Sequence, residues 1–178
     1  CYMKKFIAIS GSLRKDSFNT KLLHEAITLA PEGMDITFYD IGTLPLYNQD
    51  LESNFPQSAQ AFKDAIAAAD GLIIASPEHN RSMAAALKNA LDWASRPWGH
   101  NSMPGKKVLV MGGSSGPIGT APSQSHLKHV LLYLDAHVVG QPELYIGNVQ
   151  DKFSPEGVLT DENTKEHIKK ALEVLTQR

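Results

Sequence analysis

Apolar residues fall on consecutive positions in four short runs: residues 6–9 (Phe-Ile-Ala-Ile), 72–75 (Leu-Ile-Ile-Ala), 108–111 (Val-Leu-Val-Met) and, more weakly, 138–139 (Val-Val). A strand that is apolar at every position has both faces covered, so these runs predict interior strands of a parallel sheet. Residues 34–39 (Met-Asp-Ile-Thr-Phe-Tyr) alternate instead, which predicts a strand at an edge. Between the runs the apolar period lengthens to three or four. Leu22, Leu23, Ala26, Ile27 and Ala30 form one stripe; Phe62, Ile66 and Ala69 a second; Leu87, Ala90, Leu91 and Ala94 a third. Leu127, Val130, Leu131 and Leu134 make a fourth, and Ile168, Ala171, Leu172 and Leu175 a fifth. Each is the core-facing side of an amphipathic helix.

Strand and helix therefore alternate about five times. This predicts an α/β fold with a five-stranded parallel sheet and helices on both faces. Ligands of such sheets bind beyond the carboxyl ends of the strands, so chemistry is expected in the loops after residues 9, 75 and 111. No repeat, low-complexity tract or linker-like shift divides the 178 residues, which read as one domain over 1–178. A net charge of −2 without a basic run argues against nucleic acid and anionic membrane as partners. No stretch is apolar for long enough to span a bilayer, and no signal-peptide pattern opens the chain. The single cysteine, Cys1, permits no internal disulfide, which is consistent with a cytoplasmic location. Cys1-Tyr2 reads as a remnant ahead of a native Met3.

The first loop, Gly11-Ser12-Leu13-Arg14-Lys15-Asp16-Ser17-Phe18-Asn19, joins a strand to a helix. Unsatisfied N–H groups and the positive end of the macrodipole meet there. Ser12 and Ser17 add hydroxyls, Asn19 an amide and Arg14 a planar cationic fork. The spacing is neither GxGxxG nor GxxxxGK[ST], so a terminal monophosphate suits it better than a diphosphate. A helix cap plus a solvated arginine is the plainer reading, but a cap needs only one such residue.

The second loop, Ser76-Pro77-Glu78-His79-Asn80-Arg81-Ser82, leads into an alanine-rich helix whose small residues admit close approach or merely favour helix. The third, Gly112-Gly113-Ser114-Ser115-Gly116-Pro117-Ile118-Gly119, is dense in glycine, which frees backbone N–H groups to face a ligand. Gly112-x-Ser114-x-Gly116 also matches the nucleophile elbow of serine hydrolases, with Asp135 and His137 or Asp161 and His167 as triad partners. The elbow needs a helix immediately after the serine, and Pro117, Gly119 and Pro122 delay one to about residue 123. His126 and His129 are spaced for a helical metal pair but lack companions, so no metal site is expected. Asp16, Asp50, Glu52 and Asp64 are scattered and do not suggest acid/base work. Trp93 and Trp98 read as core or interface residues.

Together these loops resemble the NADPH-dependent FMN reductase family, in particular its bacterial quinone and chromate reductase branch, from Phe6 to about Gly147. Gly11-Ser12-Leu13-Arg14-x-x-Ser17-Phe18-Asn19 is similar to that family's FMN phosphate loop. Pro77-Glu78-His79-Asn80 is similar to its Pro-Glu-Tyr-Asn loop beside the isoalloxazine ring. Leu87-Lys88-Asn89-Ala90-Leu91-Asp92-Trp93, Ser114-Ser115-Gly116-x-x-Gly119 and Leu44-Pro45-Leu46-Tyr47 match further family segments. His79 stands where tyrosine is usual, Ala84 for proline, Ala85 for glycine, Thr120 for glycine, and Pro122 near a common arginine. These departures fall on the ring side and the pyridine-nucleotide side, not on the phosphate loop.

The resemblance implies a flavodoxin-like three-layer sandwich with strand order 2-1-3-4-5. It implies bound FMN, NADPH or NADH as co-substrate, and a quinone, azo, metal-oxyanion or flavin acceptor. Flavin does the chemistry, so no catalytic side chain is named. Ser12, Arg14, Ser17, Phe18 and Asn19 would hold the phosphate, and Pro77, Glu78, His79 and Asn80 would border the ring. Ser114, Ser115 and Gly116 would reach its polar rim, and Arg81 would meet the nucleotide. A homodimer or homotetramer is also implied, with the helix from Ala84 to Trp93 as its contact. The rival within the fold is a flavodoxin-like electron carrier, against which the small net charge argues.

Overall fold

The first apolar run becomes β1 (Lys4–Ser10), which is buried on both faces from Phe6 onward. In this computed structural model, which describes residues 2–177, it is followed by α1 (Phe18–Thr28), β2 (Met34–Phe38), α2 (Gln57–Ala68) and β3 (Gly71–Ala75). Next come α3 (Ala85–Ala94), β4 (Lys107–Gly113), α4 (Ala121–Tyr133), β5 (His137–Val138), β6 (Leu144–Ile146) and α5 (Glu162–Gln177). Cys1 lies outside the described residues.

All strands are parallel, in the order β2-β1-β3-β4-β5, with β6 also on β4. The expected order 2-1-3-4-5 is observed, and β2 is the edge its alternation predicted. The fifth position differs in detail. It is filled by two short pieces: β5 pairs with Lys107 and Val108, β6 with Met111, Gly112 and Gly113. The chain between them carries Pro142, which has no N–H to give a ladder, so a continuous strand cannot form there.

Alternation of side chains along each strand divides the interior into two layers. Phe6, Ala8, Ile73, Leu109 and Met111 meet Leu22, Leu23 and Ala26 of α1 and Ile168, Leu172 and Leu175 of α5. Ile7, Ile9, Leu72, Ile74, Val108 and Val110 meet Phe62 and Ile66 of α2, Leu87 and Leu91 of α3, and Leu127 and Leu131 of α4. Because β1, β3 and β4 are adjacent and parallel, their carboxyl ends open onto one rim of the sheet. The switch in strand order falls between β1 and β3, where such sheets leave a crevice.

The helix similar to the family segment fastens one more piece to this frame. Asn89 and Trp93 lie four residues apart on one face of α3 and both donate to the Pro45 carbonyl, at 2.9 and 2.7 Å. Asn89 Oδ1 accepts the Tyr47 N–H at 2.7 Å. Just beyond the helix, Arg96 grips Glu52 through Nε and Nη2 at 2.5 and 3.2 Å. Arg96 and the Tyr47 hydroxyl hold the Glu52 carboxyl below its ordinary range. Trp93 is therefore a core residue, while Trp98 is exposed.

Candidate functional site

Ser10, the last residue of β1, knits the start of the first loop. Its hydroxyl accepts from Thr20 Oγ1 at 2.8 Å and from the Ser12 N–H at 3.2 Å. Ser17 is the N-cap of α1 and accepts the Thr20 N–H at 3.4 Å. The N–H groups of Phe18 and Asn19 have no carbonyl a turn earlier within the helix and remain directed out of its end. The first turn carries no acidic residue, so the dipole there is uncompensated. Arg14, Lys15 and Asp16 are exposed. A cavity of ≈ 410 Å³ beside this loop is bounded by Ser10, Ser12, Arg14 and Thr20 on one side and the segment following β2 on the other.

Two of the predicted residues are oriented differently from their neighbours. Asn19 is buried, and its amide is bonded at both ends to one residue of β4: Nδ2 donates to the Gly113 carbonyl at 3.1 Å, and Oδ1 accepts the Gly113 N–H at 2.9 Å. The Phe18 ring packs on Phe153, with centroids 5.4 Å apart, under the Lys21 ammonium. What Phe18 and Asn19 offer to the outside is their main chain.

In the second loop Ser76 and Pro77 are buried, Glu78 is half-buried, and His79, Asn80 and Arg81 are exposed. His79 and Ser82 exchange both main-chain hydrogen bonds, at 2.9 and 3.0 Å, around Asn80 and Arg81 at φ of 52° and 64°. That is the two-residue turn of a tight hairpin, in a left-handed conformation that side chains rarely adopt. Arg81 leans back on Glu78 at 3.4 Å.

The third loop begins two residues later than its glycines suggested, because Gly112 and Gly113 belong to β4. Gly112 is glycine for lack of room: a Cβ there would lie 2.0 Å from Thr120 Oγ1 and 2.4 Å from the Ser76 carbonyl. The Ser114 hydroxyl donates to the Gly116 carbonyl and accepts the Gly119 N–H, both at 3.0 Å, so it braces its own turn. Among the described residues no histidine is hydrogen-bonded to it, and α4 starts only at Ala121, which leaves the nucleophile elbow without its parts. Ser115 is exposed and Gly116 half-buried.

Several residues shape this rim without a local signal in the sequence. The segment after β6 grips the third loop: Ser114 N–H donates to Ile146, Asn148 N–H to Gly116 and Val149 N–H to Ser114, each at 3.0 Å. Ser123 of α4 touches the second loop through both side chain and main chain. Thr120, one of the departures from the family pattern, takes φ of 61° where glycine would be unstrained, and its hydroxyl accepts from Gln124 Nε2 at 3.1 Å. His126 and His129 are exposed; His126 Nδ1 lies 2.9 Å from Ser82 Oγ and neither faces a carboxylate cluster.

Thus Ser12, Arg14, Ser17, Pro77 to Arg81 and Ser114 to Gly116 are gathered at one rim, with the first-turn N–H groups of α1 and the partly or fully exposed hydroxyls of Ser12, Ser114 and Ser115. These donors fit a phosphate monoester at one end of a flat, polar-edged ring.

The family description "NADPH-dependent FMN reductase" matches residues 4–151. A 2-hydroxy-1,4-benzoquinone reductase of Burkholderia sp is 50% identical over 164 residues, covering 92% of this chain and 90% of that protein. An NAD(P)H-dependent FMN reductase of Pseudomonas aeruginosa is 45% identical over 172 residues, 96% of this chain and 92% of that one. Among solved structures, the flavoenzyme NAD(P)H:(acceptor) oxidoreductase FerB from Paracoccus denitrificans superposes with a TM-score of 0.91 at 38% identity, over 98% of this chain and 96% of that one. The chain belongs to the NADPH-dependent FMN reductase family and is an FMN-dependent oxidoreductase on a flavodoxin-like fold.

Proposed function

We propose that the protein transfers hydride from a reduced nicotinamide nucleotide through bound FMN to a small acceptor, with a quinone as the substrate class its relatives favour. The observation that carries this is the convergence of three donor-rich loops at the carboxyl ends of β1, β3 and β4, where the strand order switches. When bound, FMN supplies the redox chemistry, accepting hydride and passing the electrons on. The chain supplies position. Ser12, Arg14 and Ser17, with the Phe18 and Asn19 main chain, hold the phosphate at the α1 N-terminus. Pro77, Glu78, His79 and Asn80 border the ring, and Ser114, Ser115 and Gly116 reach its polar rim. Arg81, exposed at the hairpin tip, meets the nucleotide's phosphates.

The chain works as one FMN-binding domain over residues 1–178. No described helix is long and apolar enough to cross a membrane, and we place the enzyme in the cytoplasm. It assembles as a homodimer or homotetramer. Support comes from the exposed Leu132 and Tyr133 on an apolar groove of ≈ 480 Å³ between α3 and α4, and from the exposed Trp98, which lines a neighbouring cavity that shares Tyr133.

The test is anaerobic. Protein reconstituted with FMN should show the visible flavin bands, and these should bleach within seconds of adding NADPH or NADH. Retained colour without bleaching would mean an electron carrier; absence of bound flavin would refute the site. Arg14→Ala with Ser17→Ala should weaken FMN retention at least tenfold in a fluorescence titration.

A further inference from the structure

Ser123 sits in the first turn of α4, fully buried, and touches three consecutive residues of the second loop. Its hydroxyl donates to the Pro77 carbonyl at 2.7 Å. The same oxygen lies 2.7 Å from Ser76 Oγ, which is also fully buried, and donates to it or accepts from it. The Ser123 N–H, an unpaired first-turn amide of α4, is capped from outside by Glu78 Oε1 at 3.1 Å.

The consequence is mechanical. Ser76 is fixed to β4 through its N–H to the Met111 carbonyl at 2.8 Å. Beyond Glu78 the hairpin closes on itself and makes one further contact with α4, the exposed His126–Ser82 pair. The Pro77 carbonyl and the Glu78 carboxylate are thus both tied to α4 through one residue, Ser123.

We propose that Ser123 is a positioning residue for the loop that borders the flavin ring, acting through the Pro77 carbonyl on the relative affinity for oxidised and reduced FMN. This rests on the flavin reading above. The physical ground is that reduction adds electrons and a proton to the ring and leaves the phosphate unchanged. Groups confined to the phosphate therefore discriminate little between the redox forms, whereas groups that face the ring, the main chain of the second loop among them, do so directly.

Ser123→Ala deletes the stronger donor to Pro77. Ser76 Oγ, already 3.3 Å from that carbonyl, can take over part of the bond. An ordering follows: Ser76→Ala perturbs least, Ser123→Ala more, and the double variant most, since it leaves the buried carbonyl with neither hydroxyl.

The experiment measures the midpoint potential of bound FMN by anaerobic dye equilibration, alongside the FMN Kd by fluorescence quenching. For Ser123→Ala we expect the oxidised-to-reduced affinity ratio to change about three- to tenfold, a shift of about 14 to 30 mV for a two-electron couple. The double variant should move further in the same direction, with the far-UV dichroism of all three unchanged. Should Ser123→Ala fail to fold, Ser123→Cys, which keeps the size but offers only a weak S–H donor to Pro77, decides: a midpoint potential equal to that of wild type overturns the proposal. Equal Kd changes for both redox forms, with the potential unmoved, would likewise overturn it and make Ser123 a packing residue. Either result leaves the flavin assignment intact, because that assignment fails only if wild-type protein binds no FMN.

Discussion

Asn19 discriminates two roles that a single substitution separates. The family resemblance gives it to the FMN phosphate; the hydrogen bonds give it to Gly113 of β4. Asn19→Ala would leave one N–H and one carbonyl of Gly113 without their side-chain partner in a region where Asn19 is 6% exposed and Gly113 is buried. A buried polar group deprived of its partner costs about 1–3 kcal/mol, so two adjacent ones cost roughly 2–4 kcal/mol once local relaxation is allowed. Against a total stability of about 5–15 kcal/mol that is a large fraction. For a chain of this size it corresponds to a fall in Tm of roughly 5–15 °C. Urea unfolding of flavin-free protein is the assay, because it excludes any contribution from bound phosphate. The midpoint should fall with the m-value unchanged, which marks a loss of stability without a change in the surface exposed. Asn19→Asp should be intermediate at neutral pH: a carboxylate still accepts the Gly113 N–H but is set against its carbonyl. If apo stability moved by less than about 0.5 kcal/mol while FMN affinity dropped tenfold or more, the amide would belong to the phosphate and the tie to β4 would be incidental.

Three further expectations follow from other close contacts. Gly112→Ala would drive a Cβ to 2.0 Å from Thr120 Oγ1 and 2.4 Å from the Ser76 carbonyl, so a lower Tm and weakened FMN retention are expected together, read by thermal melts with and without FMN. Lys63 of α2 is buried, its ammonium reaching the end of α3 and bonded to the Ala94 and His100 carbonyls and to Ser102 Oγ at 3.0, 2.5 and 2.9 Å. Lys63→Met should destabilise by about 1–3 kcal/mol at pH 7, since it strips these acceptors. Burial lowers the Lys63 pKa from 10.5, so the unfolded chain holds that proton more tightly; wild type should gain on the variant as pH rises toward 10.5, in paired urea titrations. Arg96 lowers the Glu52 pKa from 4.5; the stability this contributes is complete above 4.5 and lost as pH falls through the folded value. Acid titration of wild type against Glu52→Gln should therefore show the two converging below pH 4.5, and a gap that stayed constant would count against the pair.

The sheet and the strand–helix loop at its first carboxyl end were legible because their causes are local. An unbroken run such as 72–75 can be tolerated only where both faces are covered, and β3 is buried at every position. The cap Ser17 sits where a helix of period 3.6 must begin, and it caps. What escaped depends on residues far apart in sequence. Nothing near residues 144–146 states that this short piece shares β4 with Val138, and Gly112 and Gly113, with which it pairs, are pressed not by it but by Thr120 and Ser76 and by Val149 and Leu22. Those glycines looked like a free loop because glycine density has the same appearance whether it provides mobility or close packing. Ser123 is the sharper case. By composition it is one more serine near a helix start, where serine is ordinary, yet the carbonyl it holds lies 46 residues earlier. The parts that would touch phosphate come from one contiguous stretch and could be named from it. The parts proposed for the ring side come from β3, α4 and the chain after β6 at once, and a contact such as Ser123 to Pro77, made across 46 residues, leaves no mark in either stretch alone.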